Sequence, residues 1–354
     1  MTELEERTTD KEQNEETRKI QLTGKSTYIV SLPKKWVTSM NLKQGSQIVV
    51  SRQNEASLIL TPKELAKQTR LGEASITIFQ RDDPDTIARK IVALYLVGYN
   101  VITIKTKGER ITSLQRNLVK DLTRRKLVGT EILSESPDEM KLQILLSYPE
   151  LSVENALRRM CLIASSMHED AIKALQSMDK ALAKEVVALD DEVDRFSLYI
   201  IRQLKAAVQS EAGLKNIGLS NQRDCLGYRV IVKSVERIAD HATKIAESVL
   251  ELDERVDNSV LQKISEMDSF ARSVFDDATR SLYTKDYSLA DGVVSKAKTI
   301  VTMENTTVRA LAKKAASGIS TVRMILESIR RTAEYASDIA EIVLNLNVDQ
   351  IITT

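Results

Sequence analysis

The chain has 354 residues, and its 51 Lys and Arg residues almost balance its 50 Asp and Glu residues, which leaves a formal net charge of +1. This balance excludes a global positive field that would attract nucleic acid. The length allows two or three domains with their own cores, and the low aromatic content of 4% with few Gly and Pro residues favours helix.

Two further features bear on the cellular compartment. Cys161 and Cys225 fall within helical patterns and are interpreted as small core residues of a reducing compartment, not as a disulfide framework. The acidic, polar residues 1–17 lack the apolar segment of a signal peptide and are predicted to be disordered. Since no apolar run approaches the ~20 residues of a membrane span, we expect a cytoplasmic protein without a membrane span.

Residues 18–62 form a basic window with a β pattern. No acidic residue occurs between Glu16 and Glu55, whereas the same stretch holds seven positive charges, namely Arg18, Lys19, Lys25, Lys34, Lys35, Lys43 and Arg52. Short apolar runs at 19–22, 28–32, 47–51 and 57–61 predict strands, and 34–40 predicts a short helix. Strands this short bury little alone, so we expect this unit to pair with a second copy in a homodimer.

The window resembles the swapped-hairpin domain of AbrB-type regulators. The resemblance lies in Gly24, in Leu32-Pro33-Lys34 and in the segment from Leu42 to Ser46. It implies two interlaced chains that present a basic face to DNA, with Arg18, Lys19, Lys25, Lys34 and Lys35 as the contact candidates. The alternative is that these lysines merely solvate a dimerisation module.

Residues 73–148 alternate between strand and helix patterns. Strands are predicted at 75–79, 101–104, 131–133 and 141–146, and helices at 84–97 and 113–126. This order predicts a small α+β connector domain, with a ferredoxin-like layer as one arrangement. It contains no Gly-rich phosphate loop and no nucleophile beside a base.

Residues 152–346 are predicted to be helical and to contain the same unit twice. Residues 167–191 align with 274–298 at an offset of 107 residues, and 235–247 align with 329–341 at an offset of 94. The difference places a 13-residue deletion between the last two helices of the second copy. We therefore expect three-helix units at 152–252 and 257–346, with helices near 152–178, 180–210, 221–252, 257–284, 287–316 and 319–346.

Only the first copy carries paired acids at helical spacing. Asp190 and Asp194 lie four residues apart, as do Glu236 and Asp240, so each pair projects from one helical face. Four facing carboxylates repel one another, and a hard or borderline cation would relieve the repulsion. We predict a metal site at these four residues, to which His241 could add a nitrogen ligand. The alternative is that the acids are solvated on exposed faces.

The helical region resembles the PhoU family of phosphate-uptake regulators. The segment Glu236-Arg-Ile-Ala-Asp240-His-Ala and the preceding Asp190/Asp194 pair carry the resemblance, which covers 152–346. It implies a divalent or ferric ion (iron, zinc, magnesium or manganese) and signalling of phosphate status to the phosphate ABC transporter. The second copy places Ala297, Val301, Arg330 and Glu334 at the equivalent positions, so Arg330 could pair with Glu334, and we expect unit two to bind no metal or to bind it only weakly.

The predicted fold is mainly α, with two tandem three-helix units preceded by a swapped-hairpin β domain and an α+β connector. The combination of AbrB-like and PhoU-like parts resembles archaeal regulators. The predicted function is a DNA-binding transcription regulator whose helical half senses metal or phosphate, and no enzymatic activity is expected. Two alternatives remain, a helical adaptor that binds the transporter without metal or DNA, and a carboxylate-bridged dimetal enzyme.

Overall fold

The computed structural model describes residues 16–24, 26–54, 57–66, 72–145, 151–209, 211–312 and 319–352. The chain divides after Arg70 into an N-terminal body and a larger C-terminal body. Residues 1–17 are predicted to be disordered. Of these, residues 1–15 lie outside the described residues.

The N-terminal body, called the hairpin domain below, consists of two separate antiparallel hairpins. Strands β1 (Gln21–Thr23) and β2 (Thr27–Ile29) form the first, and β3 (Ile48–Asn54) and β4 (Ser57–Pro62) form the second. Helices α1 (Lys34–Ser39) and α2 (Lys63–Ala66) accompany them. Large apolar side chains stay exposed on both hairpins, including Ile20, Leu22, Tyr28, Val50 and Leu58. A single copy of this domain therefore leaves its apolar strand residues without a core.

The C-terminal body begins with the connector domain. It comprises β5 (Glu73–Thr77), α3 (Pro84–Val97), β6 (Val101–Lys105), α4 (Ser113–Arg125), β7 (Thr130–Glu135) and β8 (Glu139–Ile144). The sheet order is β5-β6-β8-β7, in which only β5 and β6 run parallel. This βαβαββ order differs from the βαββαβ order of a ferredoxin-like layer, because the second helix precedes a terminal hairpin.

Local signals in the sequence determine where the two connector helices begin. The Asp83 side chain accepts a hydrogen bond from the Thr86 amide, which caps α3. Thr112 and Gln115 form a reciprocal capping box at the start of α4. The connector core lies between the helices and one face of the sheet, and it is composed of Ile87, Ile91, Tyr95, Ile102, Ile104, Val119, Met140 and Leu142.

The remainder of the C-terminal body is a helical bundle made of two similar units. Unit one contains α5 (Val153–Ser177), α6 (Lys180–Ala207), the short α7 (Glu211–Asn216) and α8 (Asp224–Glu251). Unit two contains α9 (Asn258–Thr284), α10 (Tyr287–Ala297), α11 (Thr299–Ala312) and α12 (Ile319–Leu346), followed by a 3-10 turn at Val348–Gln350. The predicted fold class is confirmed, and α7 lies in the connection between α6 and α8, where unit one is the longer unit.

The repeat extends to the backbone at the helix ends. Met178 and Lys285, 107 residues apart, both close their helices with positive φ angles of 57° and 53°. Asp179 and Asp286 then cap the following helices with their side chains. The units share one core, in which α8 packs along α12. Gly227 permits this approach, because a Cβ atom there would lie 2.9 Å from Ile342 Cγ2.

No helix in the described ranges combines the length and the apolar character needed to cross a membrane.

Candidate functional site

The four predicted acids lie on the facing helices α6 and α8. Asp190 and Asp194 are one turn apart on α6, and Glu236 and Asp240 are one turn apart on α8. The apolar positions of both helices enter the shared core, which turns the intervening acidic positions toward the edge of the helix pair. All four side chains are partly buried, so none of them is an ordinary fully solvated surface acid.

Three of the four carboxylates have a bonded partner. Thr243 donates a hydrogen bond from its hydroxyl to Asp190 Oδ1 at 3.3 Å. Lys126 Nζ lies 2.9 Å from Asp194 Oδ2, and Lys233 forms an ion pair with Glu236. Within the part of the chain that the structure describes, the Asp240 side chain has no such partner.

Repulsion among these acids shows in their protonation. Burial, followed by the charges of Glu236, Asp190 and Asp194, raises the pKa of Asp240 to about 6. Burial, followed by the charge of Asp194, also raises the pKa of Asp190 above its ordinary value. The two helices thus bring the carboxylates close enough to oppose one another's ionisation.

The ligand atoms of this cluster are of a kind that suits a metal ion, but their positions in the structure do not. Four carboxylates are the ligands that hard and borderline cations prefer, although Glu236 Oε2 already has Lys233 as its ion-pair partner. However, among the described residues no group of three or more Asp, Glu, His or Cys side chains converges closely enough to hold an ion. Lys126 and Lys233 hold two of the four carboxylates in their present positions.

His241 lies beside the cluster but faces the junction between the units. Its ring stacks at 5.8 Å on Tyr335, the residue at the equivalent position of unit two. Burial, followed by the charges of Lys244, His168, Arg331 and Arg330, lowers the pKa of His241 to about 4. The imidazole is therefore neutral at physiological pH, and its buried Nδ1 has no hydrogen-bond partner among the described groups.

Unit two has replaced the acidic cluster with an internal ion pair. Arg330, at the position of Glu236, bonds to Glu334 as predicted, and its Nε also lies 3.0 Å from Glu304 Oε2. Ala297 is buried, and the helix is interrupted at Lys298, between α10 and α11. A guanidinium already supplies the positive charge in this unit, so its acids need no further cation.

Three charged partners of these residues were not predicted from the sequence, for different reasons. Lys233 lies three residues before Glu236 on the same helix, a spacing that could have identified it. Glu304 aligns with Ser197 of unit one, so the repeat contains no signal for it. Lys126 lies 68 residues before Asp194 and in the connector, and only the docking of the two domains brings them together.

The second candidate site is the basic window of the hairpin domain. Lys34 and Lys35 are exposed in the first turn of α1, where the helix dipole disfavours positive charge, so helix stability does not explain them. Lys19 is also exposed, whereas Arg18 forms an ion pair with Glu16. Lys25, the remaining DNA-contact candidate, lies outside the described residues.

Comparison with protein-family models finds similarity in both bodies. The PhoU domain model matches residues 157–249 and 264–343, one match for each helical unit. The model of the antidote-toxin recognition MazE bacterial antitoxin matches residues 21–68, which agrees with the AbrB-like prediction for 18–62. Neither match includes the connector domain.

Curated relatives resemble the helical half. A phosphate-specific transport system accessory protein PhoU homolog of Borreliella burgdorferi is 29% identical over 148 residues, and that of Aquifex aeolicus is 28% identical over 145. These alignments cover 38% and 40% of the chain but only 65% and 62% of the relatives. PhoU homolog 1 of Thermotoga maritima is 23% identical over 199 residues, which cover 54% of the chain and 84% of the relative.

Two solved structures resemble the bundle. The phosphate transport system regulatory protein PhoU from Streptococcus pneumoniae has a TM-score of 0.49 and 20% identity, over 57% of this chain and 96% of the other. PhoU from Pseudomonas aeruginosa has a TM-score of 0.47 and 23% identity, over 56% of this chain and 96% of the other.

Proposed function

The helical part of the chain belongs to the PhoU domain family, and from this premise we propose that the protein is a cytoplasmic regulator of phosphate transport. The observation that carries the proposal is the match of both helical units to the family model. The relatives named as accessory proteins of the phosphate-specific transport system support it. The role is regulatory rather than catalytic, and the phosphate ABC transporter is the proposed partner.

Phosphate uptake in the native host tests this role. Cells that lack the gene are expected to lose the normal repression of uptake when phosphate is abundant, and a plasmid copy should restore it. Uptake that responds to phosphate identically with and without the gene would contradict the proposal.

The hairpin domain supplies the proposed contact with DNA, as a homodimer. Two features support this role, the exposed Lys19, Lys34 and Lys35 and the seven positive charges in a window without acids. Lysine contacts to phosphate release counterions, so binding should weaken steeply as salt rises. The protein would then act on transcription directly, through its own N-terminal body.

A gel shift on the protein's own upstream DNA tests this contact. Changing Lys34 and Lys35 to Ala should weaken binding to all sequences and flatten the salt slope by roughly one unit per lost phosphate contact. The matched control replaces two exposed lysines of α6, Lys184 and Lys205, with Ala. If the control weakens binding equally, net charge alone explains the result and the proposed surface is wrong.

Unit one is the proposed metal-binding part. Asp190, Asp194, Glu236 and Asp240 would hold a divalent or ferric ion, and the ion would supply the positive charge that their mutual repulsion calls for. The raised pKa of Asp240 supports this assignment, as does the replacement of the cluster by an arginine in unit two. Each of these four residues would present a carboxylate oxygen to the ion from a rigid helix.

Elemental analysis of purified variants tests the assignment. The double variant Asp194→Ala with Asp240→Ala should lose bound metal and the stabilisation that metal confers on melting. The control Glu334→Ala, in unit two, should retain both. If the two variants hold equal metal and melt with equal sensitivity to chelator, the cluster is not the site, and unit one is better explained as a scaffold for a protein partner.

A further inference from the structure

Helices α5 and α9 occupy equivalent places in the two units and pack against each other in antiparallel orientation. Near one end of the pair, Gln176 Nε2 donates a hydrogen bond to Ser265 Oγ at 2.8 Å. Near the other end, the Arg158 guanidinium lies 3.9 Å from the centre of the Tyr283 ring. Because the 107-residue repeat maps α5 onto α9, it also maps one half of their interface onto the other half. The two halves therefore have matching backbone positions but different side chains.

A guanidinium group closes the half of the interface that contains Arg272. Its Nε lies 2.9 Å from Asp268 Oδ2, and its Nη1 lies 3.3 Å from Glu169 Oε2. Arg272 belongs to α9 and Glu169 belongs to α5, so the arginine side chain joins the two helices. One arginine between two carboxylates thus holds this half together.

The other half of the interface lacks such an arginine. The repeat places Ser165 at the position of Arg272, Cys161 at that of Asp268 and Asp276 at that of Glu169. A serine is too short to bridge the helices, and a cleft of about 410 Å³ lies here, with Ser165, Cys161 and Asp276 in its walls. Asp276 therefore retains an acid of the first half without the cation that accompanies it there.

Asp276 is also the charged group of this cleft that lacks an ion pair within the described ranges. Two arginines line the cleft, but both are already neutralised. Arg158 pairs with Glu154 at 3.3 Å, and Arg280 pairs with Asp277 at 2.7 Å. Partial burial raises the pKa of the Asp276 carboxyl above its ordinary value, although nearby positive charges oppose this effect. A positively charged group in the cleft would stabilise the ionised carboxylate.

Two hydroxyl groups in the cleft are available as hydrogen-bond acceptors. The oxygen atoms of Thr279 and Tyr283 are buried, and neither makes a hydrogen bond among the described groups. Both lie beside the Cys161 thiol, which is only a weak acceptor. Burial raises the pKa of Cys161 to about 12 and also raises that of Tyr283, so both groups stay neutral at physiological pH. Neutral hydroxyls can accept hydrogen bonds from a cation without adding charge.

We propose that this cleft binds the guanidinium group of an arginine side chain that a partner protein presents. The guanidinium would occupy the place that Arg272 fills in the other half of the interface. Its planar set of N–H donors suits one carboxylate, from Asp276, together with the hydroxyls of Thr279 and Tyr283. Leu162, which lines the cleft and is 67% exposed, would pack against the aliphatic part of the arginine. The inference is independent of the proposed metal and DNA contacts.

Ligand-observed NMR titration of the full-length protein tests the site. The probe is N-acetylarginine N-methylamide, which models an arginine within a peptide chain. Its citrulline analogue has the same shape without the charge and should not bind. Agmatine carries the guanidinium group without a peptide backbone, so binding of agmatine but not of the peptide-like probe would overturn the assignment to a protein partner. Equal binding of the arginine and citrulline probes would overturn the role of charge.

Substitution of the acid tests which residue holds the probe. Asp276→Asn removes the negative charge and should weaken binding of the arginine probe by roughly ten-fold. The matched control is Glu266→Gln, because Glu266 is an exposed acid of the same helix that does not line the cleft. Equal affinities in the wild type and Asp276→Asn, or equal losses in both variants, would overturn the proposed site.

A variant that fills the cleft provides an independent test. Ser165→Arg supplies from α5 the side chain that Arg272 supplies from α9, so it should abolish probe binding and raise the melting temperature. Adding Asp276→Asn should remove that gain in stability. Ser166→Arg, at the exposed neighbouring position, is the control and should leave probe binding unchanged. Undiminished probe binding in folded Ser165→Arg would overturn the proposal, and the Asp276→Asn titration decides it if Ser165→Arg does not fold.

Discussion

Asp240 is the member of the acidic cluster whose pKa shows the repulsion between the carboxylates most clearly. Its pKa of about 6 lies above the ordinary value of 3.8, so the native state holds the proton more tightly than the unfolded chain. Stability therefore falls as pH rises from about 4 to 6, and the full penalty is present above that window. The acids of unit one are a local cost to the fold at neutral pH in the absence of a cation.

We predict that Asp240→Asn stabilises the protein in chelator at pH 7.5 by about 1 kcal/mol, a value discounted for the partial exposure of the side chain. The gain should vanish near pH 4, where aspartic acid and asparagine are alike in charge. Melting temperatures across pH provide the measurement, with Glu185→Gln, an exposed acid of α6, as the control. A gain that does not change with pH would argue that charge is not its cause.

His168 and Asp268 form a buried polar contact between the units. Both side chains are 1% exposed, and His168 Nδ1 lies 3.3 Å from Asp268 Oδ1, but among the described residues neither atom makes a hydrogen bond. His168 Nε2 lies 3.0 Å from Ile238 O, which requires a proton on Nε2, and 2.9 Å from Thr332 Oγ1. At the equivalent positions of the repeat, Phe275 corresponds to His168 and Cys161 corresponds to Asp268. The same fold therefore accommodates an apolar pair where His168 and Asp268 form a polar one.

This equivalence predicts the outcome of a double-mutant cycle. Asp268→Ala alone should cost about 1–3 kcal/mol, because it removes the buried carboxylate that accepts the Arg272 Nε hydrogen bond and faces His168. His168→Phe combined with Asp268→Ala should cost clearly less than the sum of the single changes. Denaturant unfolding measures the energies. Strict additivity would show that the two side chains do not act as a pair.

At the scale of elements, Arg202 joins α6 to the end of α3. Its guanidinium is almost fully buried, donates to the carbonyl groups of Tyr95 and Gly98, and lies 4.9 Å from the Tyr95 ring. A cation at a helix C-terminus is favoured by the helix dipole as well as by these hydrogen bonds. The contact secures the connector on the side opposite Lys126.

Arg202→Met should therefore destabilise the protein by about 2–3 kcal/mol, since it leaves buried carbonyl groups without donors. The effect should be local, with faster hydrogen exchange in α3 than in α8. Arg309→Met, at an exposed position of α11, is the control and should change neither. Equal acceleration of exchange in α3 and α8 would mean that the arginine supports the whole bundle rather than the connector.

At the scale of the whole molecule, we propose that the hairpin domain determines the oligomeric state. Leu22 and Val50 are about 60% exposed in a single chain, on hairpins that do not share a core. A second copy would bury these faces, whereas the helical bundle already has a continuous core of its own. The proposed dimer therefore depends on the smaller body.

Replacing both Leu22 and Val50 with Lys should convert the dimer to a monomer, because unpaired lysines would have to be buried in the interface. Sedimentation of the full-length protein measures this change. Leu114→Lys, a comparably exposed position at the start of α4, should remain dimeric. A wild-type protein that sediments as a monomer would refute the proposed dimer itself.

The features of this molecule that can be predicted from its sequence are those that local sequence patterns specify. Helical periodicity, caps such as Asp83 and Asp179, and the 107-residue repeat placed five of the six predicted long helices within a few residues of their observed ends. The prediction of one helix at 287–316 was wrong, because the chain is interrupted at Lys298 and forms the two helices α10 and α11. The spacing of Asp190, Asp194, Glu236 and Asp240 likewise predicted two acidic helix faces. These features depend on residues close in sequence or on a copied unit, so the chain contains them without reference to its tertiary structure.

The tertiary structure alone decided which charges meet. Lys126 reaches Asp194 only because the connector docks on α6, Glu304 reaches Arg330 only through the packing of α11 on α12, and His168 finds Asp268 only where α5 crosses α9. Such contacts join residues far apart in sequence, and no periodic pattern encodes them. The amino-acid sequence determined which helix faces are acidic, and the packing of the domains determined which cations neutralise them.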